Sequence, residues 1–168
     1  MKKNLLFSFI FLSTVSLYAQ NDSLRLQNPK RNILKINLLS PILNSFSASY
    51  ERVINDEKTF NITAFVSQNF AGDNIVAYGI TPEIRFYLSE NKKAPAGFFV
   101  APYFTLQTYG GDPIILGPGV AIGGQWVFKN RVSLDLWGGP AYVFTNDNSE
   151  FLGNFWGRFG LSLGFLFR

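Results

Sequence analysis

Histidine and cysteine are both missing from this chain of 168 residues. Without cysteine there is no disulfide framework, no thiol nucleophile and no lipid-anchored cysteine. Without histidine, the Ser–His and His–Asp arrangements that activate a nucleophile or a water cannot be built. Charge is scarce as well. Asp, Glu, Lys and Arg make up 15% of the chain, against ~25% in typical soluble domains, and a soluble surface normally carries more. Beyond the N-terminal segment, no stretch reaches the ~18 uninterrupted apolar residues that mark a spanning helix. The remaining charges form no basic stripe, which excludes nucleic acid as an expected partner.

What the chain has instead is apolar and aromatic: 47% hydrophobic residues, 17% aromatic, 18 of them Phe. The length suits one domain. Lys2 and Lys3 precede an apolar run from Leu5 to Leu17, broken only by Ser8, Ser13, Thr14 and Ser16. Tyr18-Ala19-Gln20 then leads into a polar stretch. This is the layout of a secretory signal peptide, with cleavage expected after Ala19. The alternative, an anchor helix, is short of the ~20 residues that spanning takes. Cleavage removes two of the 15 basic residues and none of the 11 acidic ones, so the net charge falls from +4 to +2. Residues 20–32 are polar and read as a periplasmic lead-in. The expected domains are therefore a signal peptide over 1–19, the lead-in over 20–32, and one folded unit over 33–168.

That unit alternates apolar and polar residues in eight successive stretches. The clearest runs from Tyr78 to Leu88. Tyr78, Ile80, Pro82, Ile84, Phe86 and Leu88 share one face, and Gly79, Thr81, Glu83, Arg85 and Tyr87 the other. Strand side chains alternate with period two, so each stretch is a strand with one greasy and one polar side. The other strands are expected at Ile33–Ser40, Ser45–Ile54, Thr59–Gln68, Phe98–Tyr109, Leu116–Phe128, Val132–Phe144 and Phe155–Phe167. Several exceed the ~9–11 residues that a tilted strand needs to cross a bilayer. The number is even, as single-chain bacterial barrels require.

The greasy face is expected to point outward, into lipid. The rival is a lipocalin-like soluble barrel with the faces reversed. An eight-stranded interior is only wide enough to be filled by side chains, and the greasy face carries too many large rings and branched chains for that volume. The opposite face is mainly Ser, Thr, Asn, Gln, Gly and Ala with a few ions. In lipid every backbone group must find a partner within the protein, which a closed barrel achieves. The fold class is thus all-β: an eight-stranded antiparallel up-and-down transmembrane barrel. Aromatic residues gather near strand ends and predict two girdles. One holds Phe60, Phe86, Phe98, Trp126, Phe128 and Phe165 at the periplasmic interface. The other holds Tyr78, Tyr109, Tyr142, Phe144, Phe155 and Trp156 at the outer interface.

Three stretches carry a likeness to a known family. They are Gly79-Ile80-Thr81-Pro82-Glu83-Ile84-Arg85-Phe86-Tyr87, then Trp137-Gly138-Gly139-Pro140-Ala141-Tyr142, and the end Gly160-Leu161-Ser162-Leu163-Gly164-Phe165. Over residues 33–168 the chain resembles a domain-of-unknown-function family of small bacterial outer-membrane β-barrels, with an OmpA/OmpX-like architecture. The resemblance implies the fold and says nothing about activity. The terminal aromatic strand also resembles the signal read by the barrel assembly machinery, although Arg168 follows Phe167 where a terminal aromatic is usual.

Parity places Lys35, Glu51, Glu83, Arg85, Asp135 and Arg158 on the inner face, with Tyr87, Tyr103, Gln107 and Gln125. An isolated buried ion is very costly, so these residues are expected to form a lumenal polar network. Asp135 and Arg158, on neighbouring strands, are expected to pair. Inward Gly117, Gly119, Gly123, Gly139, Gly160 and Gly164 would leave room for the long side chains. The same carboxylates could do acid–base work, but a structural plug is the favoured reading. Other motifs are weak. Gly117-Pro118-Gly119 lies in an alternating stretch, whereas a phosphate-cradling loop opens a helix. Asn146-Asp147-Asn148 with Glu150 has oxygen ligands but lacks the spacing of a calcium loop. Asn61-Ile62-Thr63 matches a glycosylation triplet but sits in mid-strand. No catalytic residue, metal site or cofactor is expected.

The sequence therefore points to a non-enzymatic, monomeric barrel of the Gram-negative outer membrane, with both termini periplasmic and a structural or surface-interaction role. Its expected partners are outer-membrane lipid and, during biogenesis, the barrel assembly machinery. A small passive channel or lipid-binding barrel is the main alternative, and an outer-leaflet lipid-modifying enzyme a remote one.

Overall fold

A computed structural model of the protein describes residues 31–68, 76–89, 92–109, 114–144 and 155–168. These residues form one closed antiparallel barrel in which each strand pairs with its neighbours in sequence and the first pairs with the last. The strands are β1 (Asn32–Asn37), β2 (Ser45–Val53), β3 (Lys58–Gln68), β4 (Val76–Tyr87), β5 (Gly97–Tyr109), β6 (Ile115–Phe128), β7 (Val132–Tyr142) and β8 (Phe155–Phe167). Alternation fixes their register, because a slip of one residue would turn every greasy side chain into the lumen. Closure leaves no unpaired edge.

The faces are sharply sorted. Phe104, Ile122 and Leu163 stand on the outer surface at 39%, 55% and 41% exposure, while Glu83 and Arg85 are buried inside. Leu34, Phe46, Ile62, Ile80, Phe98, Leu136 and Phe159 continue the exposed apolar surface around the barrel. Pro82, Pro102, Pro118 and Pro140 lie within β4 to β7. A proline takes one donor from the ladder. The carbonyl of Pro140 finds a partner inside the barrel, the Tyr103 hydroxyl at 3.0 Å.

The termini define one end, called here the lower end. Ile33, Val53 and Leu166 are buried near it, where Ile33 pairs with both Glu51 and Leu166. Most strands differ from their expected limits by one or two residues, and two strands end earlier by two or more. β1 stops at Asn37 rather than Ser40, because the Asn37 side-chain oxygen accepts the backbone N–H of Leu39 at 3.0 Å. Such a local bond competes with the ladder and turns the chain. A 3-10 turn over Ser40–Leu43 follows, and Asn44 closes it in the left-handed region. β7 stops at Tyr142 rather than Phe144, although a single bridge still joins Phe144 to Leu116.

The outer aromatic residues fall at both rims. Near the upper end, the Tyr142 ring meets those of Phe144 and Phe155 edge-on, each at 5.3 Å. Near the lower end, Lys58 lies 5.4 Å above the Phe86 ring, and Tyr50 meets Phe167 at 6.4 Å. One girdle assignment needs correction. Trp156 pairs with the buried Ala141, so it stands on the inner row, at the upper mouth. Closeness to a strand end outweighed parity in the sequence reading. The side chain of Tyr109 lies outside the described residues.

Candidate functional site in the barrel lumen

The lower lumen is filled by ions from four strands and an amide from a fifth. β1 supplies Lys35, β2 Glu51, β4 Glu83 and Arg85, β6 Gln125 and β7 Asp135. Their spacing along each strand puts all of them on the inner row. Lys35 Nζ is the hub. It lies 2.5 Å from Glu51 Oε2 and 3.0 Å from Asp135 Oδ2, and it donates to Gln125 Oε1 at 2.9 Å. Arg85 is the second hub. Its Nε contacts Glu83 Oε1 at 2.5 Å, and its Nη1 contacts Asp135 Oδ2 at 2.8 Å and Gln125 Oε1 at 3.1 Å. Glu51 Oε2 stands 3.6 Å from the same nitrogen.

Neutral groups complete the cluster. Thr59 donates to Glu51 Oε1 at 2.5 Å. The Tyr87 hydroxyl is 2.9 Å from both Glu51 Oε1 and Gln125 Oε1, and its single proton goes to one of them at a time. The Phe99 ring lies under the Arg85 guanidinium at 4.5 Å. The side chains of Lys35, Glu51 and Asp135 have no solvent exposure. Coulomb attraction is strongest where water is excluded, and there every charge needs a partner. Lys35 and Arg85 each touch more than one carboxylate, so both cations are compensated.

The upper lumen is built differently. Arg158 of β8 lies beside two rings, with its guanidinium carbon 4.7 Å from the Tyr103 ring and 5.1 Å from the Trp137 ring. The expected Asp135–Arg158 pair does not form. Register sets Asp135 opposite Ser162 and Arg158 opposite Gly139, so the two sit at different heights, and Asp135 is taken by Lys35 and Arg85. Among the described residues, no carboxylate lies within ion-pair distance of Arg158, and its Nη1 is buried without a hydrogen-bond partner.

The inner-row glycines make room for rings and backbone more than for ions. A Cβ at Gly119 would collide with the Tyr103 ring, one at Gly160 with the Trp137 ring, and one at Gly117 or Gly139 with the neighbouring backbone. At Gly164 a Cβ would meet the stem of Lys35 as well as Ser133 and Ile33.

All ten residues named for the lumenal network therefore lie on the inner row, but in two groups. Lys35, Glu51, Glu83, Arg85, Tyr87, Gln125 and Asp135 come together below, while Tyr103, Gln107 and Arg158 stand apart above. Sequence reasoning missed Thr59, Phe99 and Trp137. Inner parity marks all three, but parity cannot say which inward residues touch. Gly117-Pro118-Gly119 lies within β6, in no loop or helix. The Asn146–Glu150 stretch lies outside the described residues. Among the described residues, no group of three or more acidic, His or Cys side chains could hold a metal, and no helix is long and apolar enough to cross a membrane.

The architecture defines a class: a closed eight-stranded up-and-down barrel with an apolar exterior and an ionic interior. The comparisons with known proteins fit it to a family. Residues 5–153 match the model described as "Protein of unknown function (DUF3575)", and the chain belongs to that family. The match runs through β1 to β7 and ends before β8. No curated protein matches the chain.

Proposed function

We propose that this protein is an integral outer-membrane β-barrel without enzymatic activity, made with a cleaved signal peptide and serving a structural or surface-interaction role. The observation that carries this reading is the inversion of the usual solvent order. Exposed Leu, Ile, Val and Phe encircle the closed sheet, while Lys35, Glu51, Arg85 and Asp135 are sealed within it. Soluble proteins rarely expose contiguous apolar patches of more than a few hundred Å², and this surface continues around the barrel. Lipid is the solvent that such a surface suits. β3 to β8, at 11 to 14 residues each, suit a bilayer that a tilted strand of about 9–11 residues crosses. Rings at both rims suit headgroup level.

The packed lower lumen supports a plug rather than a pore, since a filled eight-stranded barrel holds no water channel. Its carboxylates are sealed in ion pairs, which leaves no accessible acid–base couple and supports the non-enzymatic reading. The test is membrane fractionation followed by a gel of unboiled and boiled samples. The expected result is a protein extracted only by detergent that migrates faster before boiling. A protein recovered in the soluble periplasmic fraction, with no mobility shift, would overturn the proposal.

A further inference from the structure

Above the ionic cluster the lumen opens into a cavity of about 280 Å³. Specific small-molecule pockets start near ~300 Å³, so this one has room for a single small ligand. Arg158 lines it and is the one ion among its lining residues. Its guanidinium carbon lies 4.7 Å from the Tyr103 ring centroid and 5.1 Å from that of Trp137, so two rings border the group. Its buried Nη1 has no partner. Gln107, 7% exposed, lines the same cavity, and its amide Nε2 is likewise buried without a partner. Two unmet donors thus border one space, and no carboxylate is among its described lining residues. Buried donors of this kind are costly unless an acceptor meets them. The walls are also partly apolar, with Phe65, Trp137 and Trp156 among them.

We propose that this upper cavity is a binding site for a small organic monocarboxylate. The carboxylate accepts from the Arg158 edge and from the Gln107 amide, and its apolar body rests on the aromatic walls. A planar guanidinium edge matches a planar carboxylate. The ionic cluster fills the lumen beneath, so the site is a cup above it. The inference rests on the barrel and its lumen and is independent of where the protein resides.

The experiment uses the full-length protein folded in detergent, with compact migration before boiling as the check on folding. Trp137 and Trp156 border the cavity, so tryptophan emission reports occupancy. Benzoate is the probe, with benzamide as its neutral counterpart and inorganic phosphate as an anion lacking an apolar body. Benzoate is expected to change the emission saturably, with benzamide and phosphate at least about tenfold weaker, since a hydrogen bond to a charged group contributes ~1.5–3 kcal/mol. Arg158→Gln should weaken benzoate by about tenfold or more. Gln107→Leu, of similar shape, should weaken it several-fold. Arg158→Lys, which keeps the charge but loses the planar edge, should fall between wild type and Arg158→Gln, and it serves if the Gln variant does not fold. Absence of a saturable response to benzoate would overturn the proposal and leave Arg158 as a distant counter-charge to the acidic cluster. Equal binding of benzamide, equal binding of phosphate, or a response unchanged in all three variants would overturn it too.

Discussion

The two halves of the lumen hold the same kinds of residues under opposite rules. In the lower half, Lys35 and Arg85 meet Glu51, Glu83 and Asp135 at contact distance, and Gln125, Tyr87 and Thr59 add hydrogen bonds, although Gln125 Nε2 and Asp135 Oδ1 stay without a partner. In the upper half, Arg158 lies beside two rings, with no carboxylate within ion-pair distance among the described residues. Each cation below is spent on its neighbours, whereas the one above keeps an unused donor. The contrast teaches that a polar lumen need not be one network. The half that is paired can only be a brace, and the half that is unpaired is the half able to receive something.

The sharpest way to break this contrast is to remove one shared partner below. Asp135 is the acceptor common to Lys35 and Arg85. Asp135→Ala leaves both cations short of charge in a space without water. Losing one member of a buried ion cluster typically costs ~3–5 kcal/mol. Urea unfolding in detergent should show a loss of that order. A cost below that of Arg158→Gln would mean that the lower half is no more interdependent than the upper.

Packing offers a second, smaller contrast. Gly164 sits low, pressed against Ser133, Ile33 and Lys35, while Gly157 sits near the upper end of β8 with nothing within 4 Å of a would-be Cβ. Overfilling a packed site costs roughly 1–3 kcal/mol, so Gly164→Val should destabilise the barrel by about that much. Gly157→Val should change it by no more than ~0.5 kcal/mol, as exposed substitutions do. Equal midpoints for the two variants would erase the difference in packing between the halves.

Arg158→Gln should have the smaller effect expected of lost ring contacts. Each cation–π contact contributes ~0.5–2 kcal/mol according to its exposure, and no ion pair is broken. The melting of the detergent-folded barrel should therefore fall only slightly. A loss as large as that of Asp135→Ala would show that Arg158 belongs to the brace after all.

Much of this was legible in the chain, for a physical reason. A sheet with one apolar and one polar side writes its faces at period two, so β8 could be placed to the residue and every inward ion identified from parity. Strand ends were less legible because side chains such as Asn37 set them through local hydrogen bonds that alternation does not encode. Parity also says nothing about height along the barrel axis. Asp135 and Arg158 are inward on adjacent strands, which suggested a pair, yet register separates them. Trp156 shows the opposite failure, since its place near a strand end suggested a girdle while parity correctly puts it at the mouth. The division of the lumen into brace and cup depends on strand stagger around a closed ring, and no single stretch of sequence carries that.

The finest test of the division is coupling rather than stability. Residues that share a partner or a hydrogen-bond network show interaction energies of ~0.5–3 kcal/mol, while independent sites add to within about 0.3–0.5 kcal/mol. Asp135 contacts Arg85 at 2.8 Å but has no contact with Arg158. A double-mutant cycle of Asp135→Ala with Arg85→Gln should therefore couple strongly, because the second substitution removes one of the cations stranded by the first. The cycle of Asp135→Ala with Arg158→Gln should be additive within error. Any residual coupling there would pass through Arg85, which contacts Asp135, and through Glu83, which Arg85 Nε holds at 2.5 Å. Coupling of comparable size in the two cycles would mean that charge balance spans the whole lumen, and that the upper half is an extension of the brace rather than a separate cup.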